Sequence, residues 1–130
     1  MPAPIEDYAL IGDTHTAGLV SREGSIDWLC LPRFDSPACF AALLGDEGNG
    51  RWLLAPAGPV REVRRRYQGD TLVLETEMAV AGGRVRVSDC LTMRPGGARR
   101  PYRQLLRVVD GLEEVVEAPD ALALRLWLRS

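Results

Sequence analysis

Asp13, His15, Asp27, Trp28, Arg33 and Asp35 fall within positions 13–35 of a 130-residue chain, and Arg33, Phe34 and Asp35 are consecutive. Carboxylates, an arginine fork and an aromatic plane are the residue types that grip sugar hydroxyls and stack on sugar rings. A pair of carboxylates is also the equipment that hydrolyses a glycosidic bond. The competing reading is structural: Asp13 and Asp35 accept backbone donors in turns, and Trp28 packs in the core. On residue types alone the structural reading has the greater weight.

Much other chemistry is closed to this chain. All 16 basic residues are arginine, so Schiff-base and lysine general-base mechanisms are excluded. His15 is the single histidine. A two-histidine metal site cannot be built, and any Ser/His/Asp triad would run through that one imidazole. Cys30, Cys39 and Cys90 are odd in number and lack a C-x-x-C spacing, which indicates neither a zinc knuckle nor a disulfide framework and favours buried reduced thiols. Neither a metal nor a cofactor is expected. With 16 basic against 18 acidic residues the net charge is −2, which argues against nucleic acid or an anionic membrane as partner. No apolar run approaches the roughly 18 residues of a membrane span, and the N-terminus has no signal-peptide order, so the chain reads as cytoplasmic.

Two arginine groups, Arg61 with Arg64 to Arg66 and Arg94 to Arg107, are read as solvated strand edges and loops rather than as a phosphate site. Gly45 to Gly50 has the order G-x-x-G-x-G with no long helix after it, and is read as a loop.

The elements that must carry the N-terminal constellation are short. Thirteen glycines and nine prolines cut the chain into segments with the period of strands. Leu72, Leu74, Thr76, Met78 and Val80 alternate with positions that include Glu75 and Glu77. Gly82-Gly83 reads as a two-residue turn, and Val85 and Val87 alternate with Arg84 and Arg86. That turn would pair Val80 with Val85 and Met78 with Val87, and set Glu77 diagonal to Arg86. A second hairpin joins Thr16–Val20 to Ser25–Leu31, with Gly24 suited to a left-handed position. Further strands are expected at 51–55, 60–67, 102–109 and 121–129. Ser36, Pro37 and Gly45 have the spacing of an N-cap, a first helical residue and a stop around Ala38 to Leu44. The fold class expected is therefore all-β, an antiparallel β-sandwich with one short helix, in one domain spanning 1–130.

The runs Ile5 to Asp13, Thr16 to Val20, Gly24-Ser25-Ile26-Asp27-Trp28-Leu29 and Arg33-Phe34-Asp35-Ser36-Pro37 closely resemble the N-terminal domain of bacterial family 15 glycoside hydrolases, the glucoamylase and trehalase-like group. Phe40 to Leu44, Gly50 to Pro56, Asp89 to Met93 and Arg103 to Arg107 continue the match, which covers about 5–112. The resemblance implies a β-sandwich that precedes an (α/α)6 barrel, in enzymes hydrolysing α-glucosidic bonds with inversion. It places the catalytic glutamates on the barrel, so no catalytic residue is assigned in this chain, which alone is expected to be inactive.

The expected function is a non-catalytic domain that packs on such a barrel and shapes the rim of its active site. Arg33, Phe34, Asp35, Asp13 and Trp28 are the candidate contacts to trehalose or another α-glucoside. The alternative is a free-standing carbohydrate-binding module without turnover. Trp127 and the Leu122 to Leu128 strand suggest a homo-oligomer when the barrel is missing.

Overall fold

In the computed structural model, which describes residues 3–31, 33–92, 104–114 and 124–129, strands of alternating burial stack into two antiparallel sheets. β1 (Tyr8–Gly12), β2 (Ala17–Ser21), β3 (Ser25–Cys30), β4 (Ala38–Phe40), β5 (Arg51–Pro56) and β10 (Leu124–Arg129) form sheet A. Its order is β1-β2-β3-β5-β10, with β4 added to β3. β6 (Glu62–Tyr67), β7 (Leu74–Val80), β8 (Gly83–Leu91) and β9 (Leu105–Glu114) form sheet B in sequence order. The two sheets share one interior. Ile11, Val20, Ile26, Leu29 and Phe40 of sheet A pack with Leu74 and Leu91 of sheet B, and Leu53 and Ala55 pack with Met78 and Val85. Each of these side chains larger than alanine contributes about 1.5–3 kcal/mol on leaving water. The antiparallel β-sandwich expected from the period-2 segments is the fold.

The β2–β3 hairpin is as the glycine position implied. Gly24 takes φ +91°, and a Cβ there would collide with the Leu54 carbonyl oxygen across the sheet. The β7–β8 hairpin differs from expectation by two residues. Its turn is Ala81-Gly82, so Val80 pairs with Gly83, Met78 with Val85, and Glu77 lies directly opposite Arg86. A shift of two keeps every side chain on its face, which is why the apolar alternation could not distinguish the two registers.

The helix expected after Ser36 is not formed over its predicted length. Ala38–Phe40 is a strand on β3, with Phe40 opposite Leu29, and only Ala42–Leu44 makes a 3-10 turn. A segment this short cannot repay helix nucleation, whereas pairing with β3 buries Phe40 in the core. Ser36 caps no helix; its hydroxyl accepts a hydrogen bond from the Arg33 amide at 3.1 Å.

Three polar side chains from sheet B tie it to sheet A. Tyr67 on β6 donates its hydroxyl to the Leu10 carbonyl at 2.7 Å and accepts the Leu10 amide at 3.2 Å, closing the outer edge of β1. Arg65 donates to the carbonyls of Val20 and Asp7. Arg107 on β9 donates to Asp89 on β8 and also to the carbonyls of Trp52 and Gly24, and its guanidinium lies 5.4 Å from the centre of the Trp52 ring.

Arg65 and Arg107 thus correct the expectation that both arginine groups are solvated. Arg64 and Arg66 fit it, outward on β6 and paired with Glu62 and Glu75. Arg94, Arg99, Arg100 and Arg103 lie outside the described residues, as do the side chains of the Leu122 to Leu128 segment. The backbone of β10 pairs with β5 from Leu124↔Pro56 to Arg129↔Arg51.

Candidate functional site

The β1–β2 and β3–β4 connections meet at one end of sheet A. The Asp13 carboxylate is buried, and its Oδ1 accepts the amides of His15 at 2.9 Å and Thr16 at 3.0 Å. This Asx-type turn holds Thr14 at φ 76°, a left-handed conformation that a β-branched residue adopts only when its neighbours enforce it. The Thr16 hydroxyl donates to the Cys30 carbonyl, pinning the turn to the end of β3. The His15 carbonyl then accepts the Phe34 amide at 3.2 Å, so the Asp13 turn and the Arg33-Phe34-Asp35 loop form one unit.

That loop faces water. Arg33 and Asp35 pair at 3.3 Å with side chains 70% and 74% exposed, and Phe34 is 64% exposed. An open ion pair of this kind is worth at most about 1 kcal/mol to the fold, so the Arg33–Asp35 pair contributes little to the sandwich. Beside the unit, an apolar cleft of about 480 Å³ is lined by Gly12, Leu72, Val73, Cys90 and Leu91, with Asp70 and Thr92 at its polar margin.

Asp27 and Trp28 are placed differently from the other candidates. Residue pairing passes from Leu19↔Trp28 to Val20↔Ile26, so Asp27 is the extra residue of a β-bulge. The bulge turns Asp27 out of the core row while Ile26 and Leu29 stay in it. Asp27 is nevertheless buried, with Oδ2 accepting the Tyr8 hydroxyl at 2.5 Å and Oδ1 accepting the Ser25 hydroxyl at 2.5 Å. Burial, then the hydrogen bond to Asp27, raises the Tyr8 phenol above its ordinary range. Tyr8 opens β1 and Gly12 closes it, which separates this network from the Asp13 turn by roughly 13 Å of strand. Trp28 is half-buried on the outward face of β3, not in the core.

The structure therefore brings together Asp13, Arg33, Phe34 and Asp35 and leaves Trp28 on a neighbouring surface. With the Asp13 Oδ1 engaged by two amides, Asp27 by two hydroxyls and Asp35 by Arg33, the arrangement presents an arginine, a carboxylate and an aromatic ring to solvent. Among the described residues no three histidine, cysteine, aspartate or glutamate side chains gather as a metal ion would require. Among them, too, no helix is long and apolar enough to cross a membrane.

The family described as trehalase-like, N-terminal matches residues 1–119. The chain belongs to that family. This trehalase-like N-terminal domain is 44% identical over 92 residues to a trehalase of Mycolicibacterium smegmatis, a match covering 71% of the chain and 14% of the relative. It is 42% identical over 90 residues to a trehalase of Mycobacterium tuberculosis, covering 69% of the chain and 13% of the relative. It is 31% identical over 116 residues to a trehalase of Thermoplasma volcanium, covering 87% and 18% respectively. The trehalase-like domain thus spans about one seventh of the length of its mycobacterial relatives. No solved structure matches it.

Sequence reading missed the polar residues that hold the trehalase-like domain in shape. Asp89 follows Val85 and Val87 at the same period-2 positions of β8, and Arg107 stands between Leu105 and Val109 on β9. Opposite charges at two core-facing positions were the available signal. Burial pushes the Asp89 carboxyl up, and the Arg107 guanidinium pulls it back without cancelling the rise.

Proposed function

We propose that this domain is the non-catalytic N-terminal part of a family 15 glycoside hydrolase acting on trehalose, glucoamylase-like activity on maltooligosaccharides being the other substrate choice. It packs on the catalytic (α/α)6 barrel, and the Arg33-Phe34-Asp35 loop forms part of the active-site rim. Asp13 acts as the girder of that loop through the His15 carbonyl. Trp28 contributes from the adjoining face. The general acid and base belong to the barrel, and the assembled protein works in the cytoplasm.

The observation that carries this reading is the match over residues 1–119 to a domain that forms a small share of relatives named as trehalases. The exposed loop supports it. Arg33 and Asp35 contribute little to the fold, yet their loop is held in place by the bonds between Arg33 and Ser36 and by the Phe34 amide donating to the His15 carbonyl. Anchored polar loops of this kind commonly carry function.

The test uses the complete gene product that carries this domain, assayed on trehalose and maltose. Arg33→Ala and Asp35→Ala should each lower kcat or raise KM by about tenfold or more, with an unchanged melting temperature. Wild-type kinetics in both would make the loop structural only. The 130-residue chain should hydrolyse neither sugar. Saturable binding of either sugar to it in calorimetry would favour a carbohydrate-binding module instead. Deprived of its barrel the domain is expected to self-associate, and a mass of 14.3 kDa by light scattering would reject that part.

A further inference from the structure

The outward faces of the two sheets have opposite character. On sheet B, β6 to β8 carry an outward ladder of ion pairs, Arg66 with Glu75 at 2.8 Å and Arg84 with Glu62 and Glu77 at 3.7 Å. The edge strand β9 adds the exposed apolar side chains Leu106, Val108 and Leu112. The β6 to β8 part of that face is satisfied in water. On sheet A, Leu10 pairs with Leu19 and Leu19 with Trp28, so an apolar row crosses three adjacent strands at directly opposed positions.

The outward direction of this row follows from its neighbours. Leu10 lies between Ala9 and Ile11, both turned to the core. Leu19 lies between Gly18, where a Cβ would meet Ile11 Cγ1 at 3.3 Å, and core residue Val20. Leu10 is 43% exposed, and Leu19 and Trp28 are half-buried. A half-solvated antiparallel sheet ordinarily places polar side chains at such positions. A row of two leucines and a tryptophan, running into the strands that anchor Asp13 and the Arg33 loop, is the pattern of a covered face.

We infer that the Leu10, Leu19, Trp28 row is the surface that docks on the catalytic domain of the same polypeptide, through an apolar patch on that domain. This rests on the function proposed above and adds the face that mediates it. The M. smegmatis relative supplies the occupant: its matched segment is 14% of its length, so most of such a protein lies outside the domain and is available to cover this face.

The test is cysteine accessibility. Leu19→Cys, Arg64→Cys and Val108→Cys are each made in the 130-residue chain and in the complete gene product, and maleimide labelling is read site by site by peptide mass mapping. Leu19→Cys should label about tenfold or more slowly in the complete protein than in the short chain, while Arg64→Cys labels equally in both. If circular dichroism shows that Leu19→Cys does not fold, Leu10→Cys is read in its place. Equal labelling of Leu19→Cys with slowing of Val108→Cys or Arg64→Cys would overturn the assignment of this face and leave domain docking intact. No slowing at any site would overturn both. Protection of Leu19→Cys in the short chain by trehalose or maltose, or by raising chain concentration, would assign the face to sugar or to a second copy and overturn the inference.

Discussion

Arg107 Nε lies 2.6 Å from Asp89 Oδ1, and their side chains are 0% and 1% exposed. The pair is more than an ion pair between adjacent strands. Arg107 also satisfies the Trp52 and Gly24 carbonyls of the opposite sheet, so one guanidinium joins β8, β9, β5 and the β2–β3 turn. Breaking a buried pair by removing one partner leaves an uncompensated charge and costs about 3–5 kcal/mol. Arg107→Leu should therefore lower stability by that amount in urea denaturation. The Arg107→Leu/Asp89→Leu double variant should recover part of the loss, because no buried charge is then left alone. A double variant as unstable as the sum of the singles would show that the bonds to Trp52 and Gly24, not the ion pair, dominate.

A second expectation concerns alkaline pH. The Tyr8 phenol is held above its ordinary value by burial and then by its bond to Asp27. It stays protonated in the folded chain after the unfolded chain has begun to ionise near pH 10. Above that pH the native state binds more protons than the unfolded state, so stability is full below pH 10 and falls as pH rises further. Tyr8→Phe should flatten this alkaline decline and remove the last-titrating tyrosinate from the absorbance profile. A profile unchanged by the substitution would reject the assignment.

Gly24→Ala should be severe, because this turn residue is buried. Its φ of +91° and the Leu54 carbonyl across the sheet both oppose a Cβ, and the same residue's carbonyl accepts from Arg107 and from the Leu54 amide. A loss of about 2 kcal/mol or more is expected. Thermal unfolding measures it, and a shift within error of wild type would show that the turn can relax.

Tyr67→Phe removes one hydroxyl but leaves the Leu10 amide and carbonyl at the open edge of β1 without their partner. The expected cost is about 1–2 kcal/mol, with increased association through the freed edge, visible as a rise in scattering with concentration. Stability loss without association would mean that the edge stays protected by Arg65 and its neighbours.

Period-2 alternation along Leu74 to Val80 and Val85 to Leu91, with glycines at the turns, was enough to specify an antiparallel sandwich, because burial on one face of a strand is written directly in alternate residues. The same local signal placed Gly24 correctly and set Arg33, Phe34 and Asp35 after a strand. It could not choose between two registers of β7 and β8, since a two-residue shift leaves every face unchanged. It also favoured a helix for Ala38 to Leu44, where the energy of pairing with β3 is non-local. The candidate loop was legible as residue types, but its union with the Asp13 turn depends on a bond between His15 and Phe34 formed only when β1, β2 and β3 align. Most of all, the positions of Arg65 and Arg107 were decided by tertiary structure. A charge is costly to bury unless carbonyls and a carboxylate converge on it, and that convergence draws on strands 18 to 83 residues apart in the chain.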